Sequence, residues 1–235
     1  MGMARIAELL RPYMGEAAEP PAVLSQLQCY LDLLLRWNAR INLTAVRDPE
    51  EIVTRHFGES LFAAQVLFSE SEPKVGPAPE ARASSNGQAE RRPEGLLYPG
   101  ATLADVGSGA GFPGIPMKLF AQELALTLIE SQNKKAAFLR EVIRTLELNN
   151  AEVFSGRAEQ WGKTADIVTL RAVEQFQRTL PGTAKLVAAG GKLCLLIGTG
   201  QIPTVQETLG ADWTWQNPKV VPQSTGRMVL VGSRR

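Results

Sequence analysis

Metal-ligating side chains are scarce in this sequence: one histidine, His56, and two cysteines, Cys29 and Cys194, among 235 residues. So few nitrogen and sulfur ligands, at no recognisable spacing, exclude a zinc or iron centre. Cys29 sits on an apolar helical pattern and Cys194 within "GGKLCLLIG", so both read as reduced, buried small hydrophobes. No run approaches the ~18 apolar residues of a membrane span. The N-terminal stretch is amphipathic, carries Glu8 and has no small-residue cleavage site, unlike a signal peptide. A cytoplasmic chain with no membrane partner is expected. Charge of one sign is also missing: 25 Lys and Arg oppose 24 Asp and Glu. No global basic excess announces a nucleic-acid binder, although a basic face fits within a balanced total.

What remains is ordinary for a chain that buries a real core, with 44% hydrophobic and 21% charged residues. Across residues 22–41, Val23, Leu27, Leu31, Leu34 and Ile41 form an apolar stripe at helical spacing. A second helix is predicted to run to Phe68, with Asp48 as N-cap, Pro49 in the first turn and Glu51 three residues after the cap. The segment 69–98 then turns rich in Pro, Ser, Gly, Ala and charge, and reads as a flexible insertion. It divides an N-terminal helical extension (1–68) from a core (99–235). Apolar runs at 102–106, 124–129, 151–154, 166–170 and 191–197 alternate with helical patterns, which predicts a parallel sheet covered on both faces. Two strands near the C-terminus are expected to close it in antiparallel fashion.

The first of these runs continues into "LADVGSGAGFPGIP". Gly109, Gly111 and Gly114 satisfy G-x-G-x-x-G, a pattern whose loop ordinarily receives a pyrophosphate. Asp105, two residues before Gly107, places a carboxylate where it would oppose that anion. A nucleoside that is cationic near the loop reverses the sign, and S-adenosylmethionine, with a sulfonium, an ammonium and no phosphate, fits. The glycines let the backbone approach the ligand closely. Glu130, ending "LALTLIE", lies 23 residues after Gly107 and is placed to accept hydrogen bonds from ribose hydroxyls. Ala158-Glu159, in "SGRAEQW", falls at the C-terminal edge of the sheet and suits an adenine edge.

The fourth strand ends in Arg171, with no Asn/Asp-Pro-Pro-aromatic turn of the kind that binds an exocyclic amine. An arginine suits a substrate atom that is already nucleophilic, such as guanine N7, for which alignment supplies most of the catalysis. Arg171 is expected either to hold the methionine carboxylate or to bind the base. His56 is a candidate for substrate positioning and not for general-base work, because N7 has no proton to remove.

The stretches "WNARINLTAVRDPEEIVTRHFGESL", "LADVGSGAGFPGIPMKL", "ESQNKKAAFL", "GRAE" and "LRAV" together resemble the glucose-inhibited division protein B family, over nearly the whole chain except 69–98. The resemblance implies a Rossmann-like class I methyltransferase fold with a mostly parallel seven-stranded sheet. It also implies S-adenosylmethionine as cofactor and methyl transfer to guanine N7 of 16S ribosomal RNA, free or in a small-subunit particle. Gly107, Phe112, Ala158, Glu159 and Arg171 match the family's cofactor-contacting positions. The chain departs from the family in its longer 69–98 segment, and in Ile197-Gly198 where many members carry Lys-Gly. RNA contact is expected from scattered basic residues, among them Arg55, Lys134 and Lys135, and the chain is expected to act as a monomer. The competing readings are a non-catalytic nucleoside-sensing RNA-binding module and a nicotinamide-dependent reductase.

Overall fold

Five parallel strands carry the frame: β1 (Thr102–Val106), β2 (Ala125–Glu130), β3 (Ala151–Ser155), β4 (Ala165–Arg171) and β5 (Val187–Gly198). The computed structural model describes residues 1–14, 20–69, 100–171 and 176–235 of the chain. The segment 69–98 named above therefore falls, from residue 70 onward, outside the described residues. The strand order is β3-β2-β1-β4-β5-β8-β6, where β6 is Trp213–Trp215 and β8 is Arg227–Arg234. The short β7 (Lys219–Val220) also pairs with β8, so the sheet has eight strands, one more than predicted. The extra strand is two residues long, too short to leave a pattern in the sequence. The closing strands are antiparallel, as expected.

Alternation along the strands sends their two faces into separate cores. Leu103, Leu126, Leu128, Ile167, Cys194, Leu196, Val229 and Val231 face one side, and Ala104, Val106, Ile129, Val168, Leu170, Leu193 and Leu195 the other. The second face is covered by α7 (Phe176–Lys185) and α8 (Ile202–Leu209), through Leu180, Ala184 and Val205. The first is covered by α5 (Gly114–Phe120), α6 (Asn133–Thr145) and the N-terminal helices α1 (Met3–Met14), α2 (Pro21–Asn38), α3 (Pro49–Ile52) and α4 (Glu59–Ser69). Leu27, Leu31 and Leu34 of the predicted α2 stripe are fully buried in that shared core.

Asp48 caps α3 as predicted, its Oδ1 accepting the Glu51 N–H at 2.8 Å. The single helix expected from there to Phe68 is instead interrupted by a π-helical turn, Val53–Gly58. One extra residue in the turn rotates the following side chains, and such insertions gather at functional sites. Here it carries Arg55 and His56 and delivers Glu59.

Because the N-terminal helices and the sheet bury one continuous apolar cluster, they should unfold together. Leu27→Ala, which empties a site with no solvent exposure, should lower the unfolding free energy by about 2–5 kcal/mol. Denaturant unfolding followed by tryptophan fluorescence and far-ultraviolet circular dichroism should give one coincident transition. Separate transitions would show that the helices are independent of the sheet.

Candidate functional site

The strand order turns back between β1 and β4, and the crevice beyond their C-terminal ends is where open α/β sheets bind ligands. Asp105 lies opposite Thr169 at that divide. Its side chain is fully buried: Oδ1 accepts from Thr169 Oγ1 at 2.7 Å, and Oδ2 accepts the Gly114 N–H at 3.2 Å. The sequence placed this carboxylate at the lip of the glycine turn. The structure corrects that placement: it sits beneath the turn, joining β1, β4 and the start of α5. Burial pushes the Asp105 carboxyl up to about 6, against the lowering effect of its hydrogen bonds.

Gly107, Gly109 and Gly111 all have positive φ, at 67°, 57° and 92°. At Gly111 an added Cβ would also run into Ile115 and, at 2.5 Å, the Tyr30 hydroxyl. Tyr30, fully buried on α2, donates that hydroxyl to the Ala110 carbonyl, so an N-terminal helix holds the turn from outside. On the other side Glu130 accepts the Gly109 N–H at 2.9 Å and the Gln132 N–H at 2.7 Å. Each carboxylate oxygen keeps a second lone pair for a ligand hydroxyl. Ala158 and Glu159 form a 3-10 turn after β3, whose last residue pairs with Glu130 in the sheet. Glu159 is exposed and Ala158 half-buried. Gly107, Gly109, Gly111, Glu130, Ala158 and Glu159 thus gather at the C-terminal edge, as the sequence predicted.

Phe112 is buried in an aromatic group with Tyr30, Phe57 and His56, whose rings lie 5.4, 5.5 and 4.9 Å away. The Arg171 guanidinium lies 6.0 Å from the Phe112 ring centre. Arg171 Nη2 donates to the Arg55 carbonyl at 2.6 Å, meets His56 Nδ1 at 3.1 Å and pairs with Glu59 Oε2 at 3.1 Å. Since arginine only donates, His56 Nδ1 is the acceptor, and its Nε2 carries the proton toward Thr44 Oγ1, 2.8 Å away. Burial first, then the charges of Arg171 and Arg55, push the His56 imidazole down to about 3. His56 is therefore neutral, with both nitrogens occupied.

Glu59 was not singled out by the sequence reading, and neither was Arg227, whose Nε lies 2.7 Å from Glu59 Oε1. An acid in a helical segment and an arginine near the C-terminus carry no local signal of their pairing. The turn before α3 is held by Asn38, buried at the end of α2, whose Oδ1 accepts the Leu43 and Thr44 N–H groups, and by Thr44 Oγ1, which accepts the Val46 N–H at 3.2 Å. Arg55 is exposed and paired with Glu51 at 2.7 Å. Lys134 and Lys135, exposed and half-buried, open α6. Among the described residues no cluster of His, Cys, Asp and Glu could hold a metal, and no helix is long and apolar enough to cross a membrane.

Asp105 and His56 titrate in opposite senses. His56 falls from 6.5 to about 3 on folding, so its contribution to stability is complete above 6.5 and is lost as pH drops toward 3. Asp105 rises from 3.8 to about 6, so its burial costs nothing below 3.8 and progressively more as pH climbs to 6. Between about pH 4 and 6 the two nearly cancel, each with a slope of up to about 1.4 kcal/mol per pH unit. Denaturant titrations should therefore show His56→Gln losing stability as pH rises through that window, and Asp105→Asn gaining it, relative to the parent. Parallel profiles for all three proteins would refute the assignment.

Residues 23–75 and 96–225 match the family described as rRNA small subunit methyltransferase G (GidB). The ribosomal RNA small subunit methyltransferase G of Xanthomonas euvesicatoria is 36% identical over 218 residues, covering 91% of this chain and 88% of that protein. Its counterpart from Stenotrophomonas maltophilia K279a is 33% identical over 232 residues, covering 97% and 94%. Among solved structures, TrmN from Thermus thermophilus superposes with a TM-score of 0.55 at 14% identity, covering 78% of this chain and 53% of that one, a likeness of fold alone. With that Rossmann-like sheet, the glycine turn and the match running through both, the chain belongs to the rRNA small subunit methyltransferase G family.

Proposed function

We propose that the protein transfers a methyl group from S-adenosylmethionine to N7 of a guanine in 16S ribosomal RNA. The observation that carries the reading is the glycine turn itself. Gly107 and Gly109, both at positive φ, leave backbone open to a ligand between Glu130 and Arg171, while Asp105 puts negative charge beneath the turn. A nucleoside with a cationic centre and ribose hydroxyls suits this set; a diphosphate does not, which weighs against the nicotinamide reading.

When bound, S-adenosylmethionine supplies an electrophilic methyl carbon. The residues of the chain have the remaining work. Gly107 and Gly109 admit the ligand against bare backbone, Gly111 makes room for Tyr30 and Ile115 behind the turn, and the free lone pairs of Glu130 accept from the ribose. Ala158, with its small side chain, and Glu159 border the adenine. Phe112, packed against Tyr30, Phe57 and His56, braces the turn. Arg171, held on three sides, orients the methionine carboxylate or the base. His56 fixes Arg171 and takes no proton, because both its nitrogens are engaged. With His56 so engaged, N7, whose lone pair attacks without deprotonation, suits the site better than an exocyclic amine. Transfer to N7 would require no proton to move at the bond-forming step, so the chain needs only to bind and align the two partners.

Lys134, Lys135 and Arg55 are assigned to RNA phosphates, with the target guanine in a loop or irregular region, because paired A-form RNA hides N7 in a deep, narrow groove. The protein is assigned to the cytoplasm and to a monomeric unit of function.

Purified protein and labelled S-adenosylmethionine should methylate 16S RNA or small-subunit particles lacking the mark, and mass spectrometry should find the product as 7-methylguanine. No transfer to either substrate would leave the RNA-binding module as the better reading. Gly107→Arg, which forces a side chain onto a positive φ, should weaken S-adenosylmethionine binding at least about tenfold in calorimetry. Lys134→Gln should reduce the salt dependence of RNA binding by about one unit of slope.

A further inference from the structure

We propose that Arg227, the first residue of β8, is a positioning residue that acts on Arg171 through the buried Glu59 carboxylate. The inference rests on the reading that Arg171 touches cofactor or substrate. It goes beyond that reading by tying the site to a strand two places away in the sheet.

Arg171 ends β4 and Arg227 begins β8, with β5 between them. Strand alternation puts both on the face that carries Leu196 and Gly198 of β5, and Gly198 pairs in register with Arg227. Glu59, at the head of α4, reaches both arginines. Its side chain is only 3% exposed, with Oε2 3.1 Å from Arg171 Nη2 and Oε1 2.7 Å from Arg227 Nε. Arg227 Nε and Glu59 Oε1 are both shut off from solvent, and the N–H does not point along the contact. The attraction is therefore ionic and not a linear hydrogen bond.

A buried carboxylate is stable as an anion only while both oxygens face cations or donors. Burial raises the Glu59 carboxyl, while Arg171, Arg227 and Arg55 oppose the rise. The other titratable groups around it are Tyr13 of α1 and His56, which shares Arg171 Nη2. Without Arg227, Oε1 is left buried with no cation against it, and Glu59 takes up a proton. Among the described residues Arg171 then keeps two neutral partners, the Arg55 carbonyl and His56 Nδ1. Its ionic anchor is gone, and with it the fixed orientation at the cleft.

The test is calorimetric titration of the full chain with S-adenosylmethionine, from about pH 6 to about pH 9. Arg227→Gln should weaken binding about tenfold at the acid end, the worth of one hydrogen bond to a charged group. The affinity should recover toward the parent value at the alkaline end, as Glu59 ionises. Arg227→Lys, which keeps the charge, should stay within about twofold of the parent. In a Glu59→Gln background, Arg227→Gln should change nothing further, and this arm also stands if Arg227→Gln alone does not fold. Unchanged binding, or a loss equal at every pH and not rescued by lysine, would overturn the proposal. Unchanged binding and turnover in Arg171→Ala would instead overturn the role of Arg171, while the methyl-transfer assay alone decides the activity.

Discussion

A single buried carboxylate holds the centre of this molecule. Asp105 has no solvent exposure, yet it stands where the sheet divides and satisfies one donor from each direction: the Thr169 hydroxyl on β4 and the Gly114 amide at the start of α5. Taking an ionisable group out of water is costly, and the rise of its carboxyl to about 6 registers that cost. In return the turn from Gly107 to Gly111 has a fixed floor. Its roof is equally fixed, by the Tyr30 hydroxyl on Ala110, and its flank by Glu130 on Gly109. A glycine-rich loop is intrinsically the most mobile kind of backbone. Three side chains from three different elements make this one a preformed surface.

The second constraint is electrostatic and lies alongside the first. Arg171, Arg227, Glu59 and His56 share a small volume, and only one of the four is an anion. The histidine answers by giving up its proton and serving as an acceptor, which leaves it structural in a place where a catalytic role would be easy to assume. The π-helical turn makes this meeting possible: it brings the Arg55 carbonyl and His56 to Arg171 and sets Glu59 at the head of the next helix. A regular helix from Pro49 to Phe68 would turn at least one of these groups away.

Much of the fold was legible because it rests on local periodicity. The five parallel strands, the α2 stripe and the Asp48 cap were each visible in short windows of sequence. So were the glycines, Glu130 and Arg171, because a strand end followed by a turn or an acid has a recognisable grammar. What could not be read depends on contacts between distant residues. Asp105 looked like a ligand-facing acid, since nothing local says that Thr169 lies across from it. Glu59 and Arg227 are separated by most of the chain, and only the sheet order brings them together. The π-helical turn differs from an α-helix by one residue's worth of rotation, which hydrophobic spacing does not resolve.

The N-terminal helices resemble an accessory in the linear sequence, set apart by a long polar stretch. Yet Tyr30 reaches out of α2 to grip the glycine turn, and Leu27, Leu31 and Leu34 beside it belong to the same apolar mass as the strands. The catalytic unit therefore has no removable handle: a fragment starting at β1 would expose half of its own interior and lose one wall of its ligand cradle.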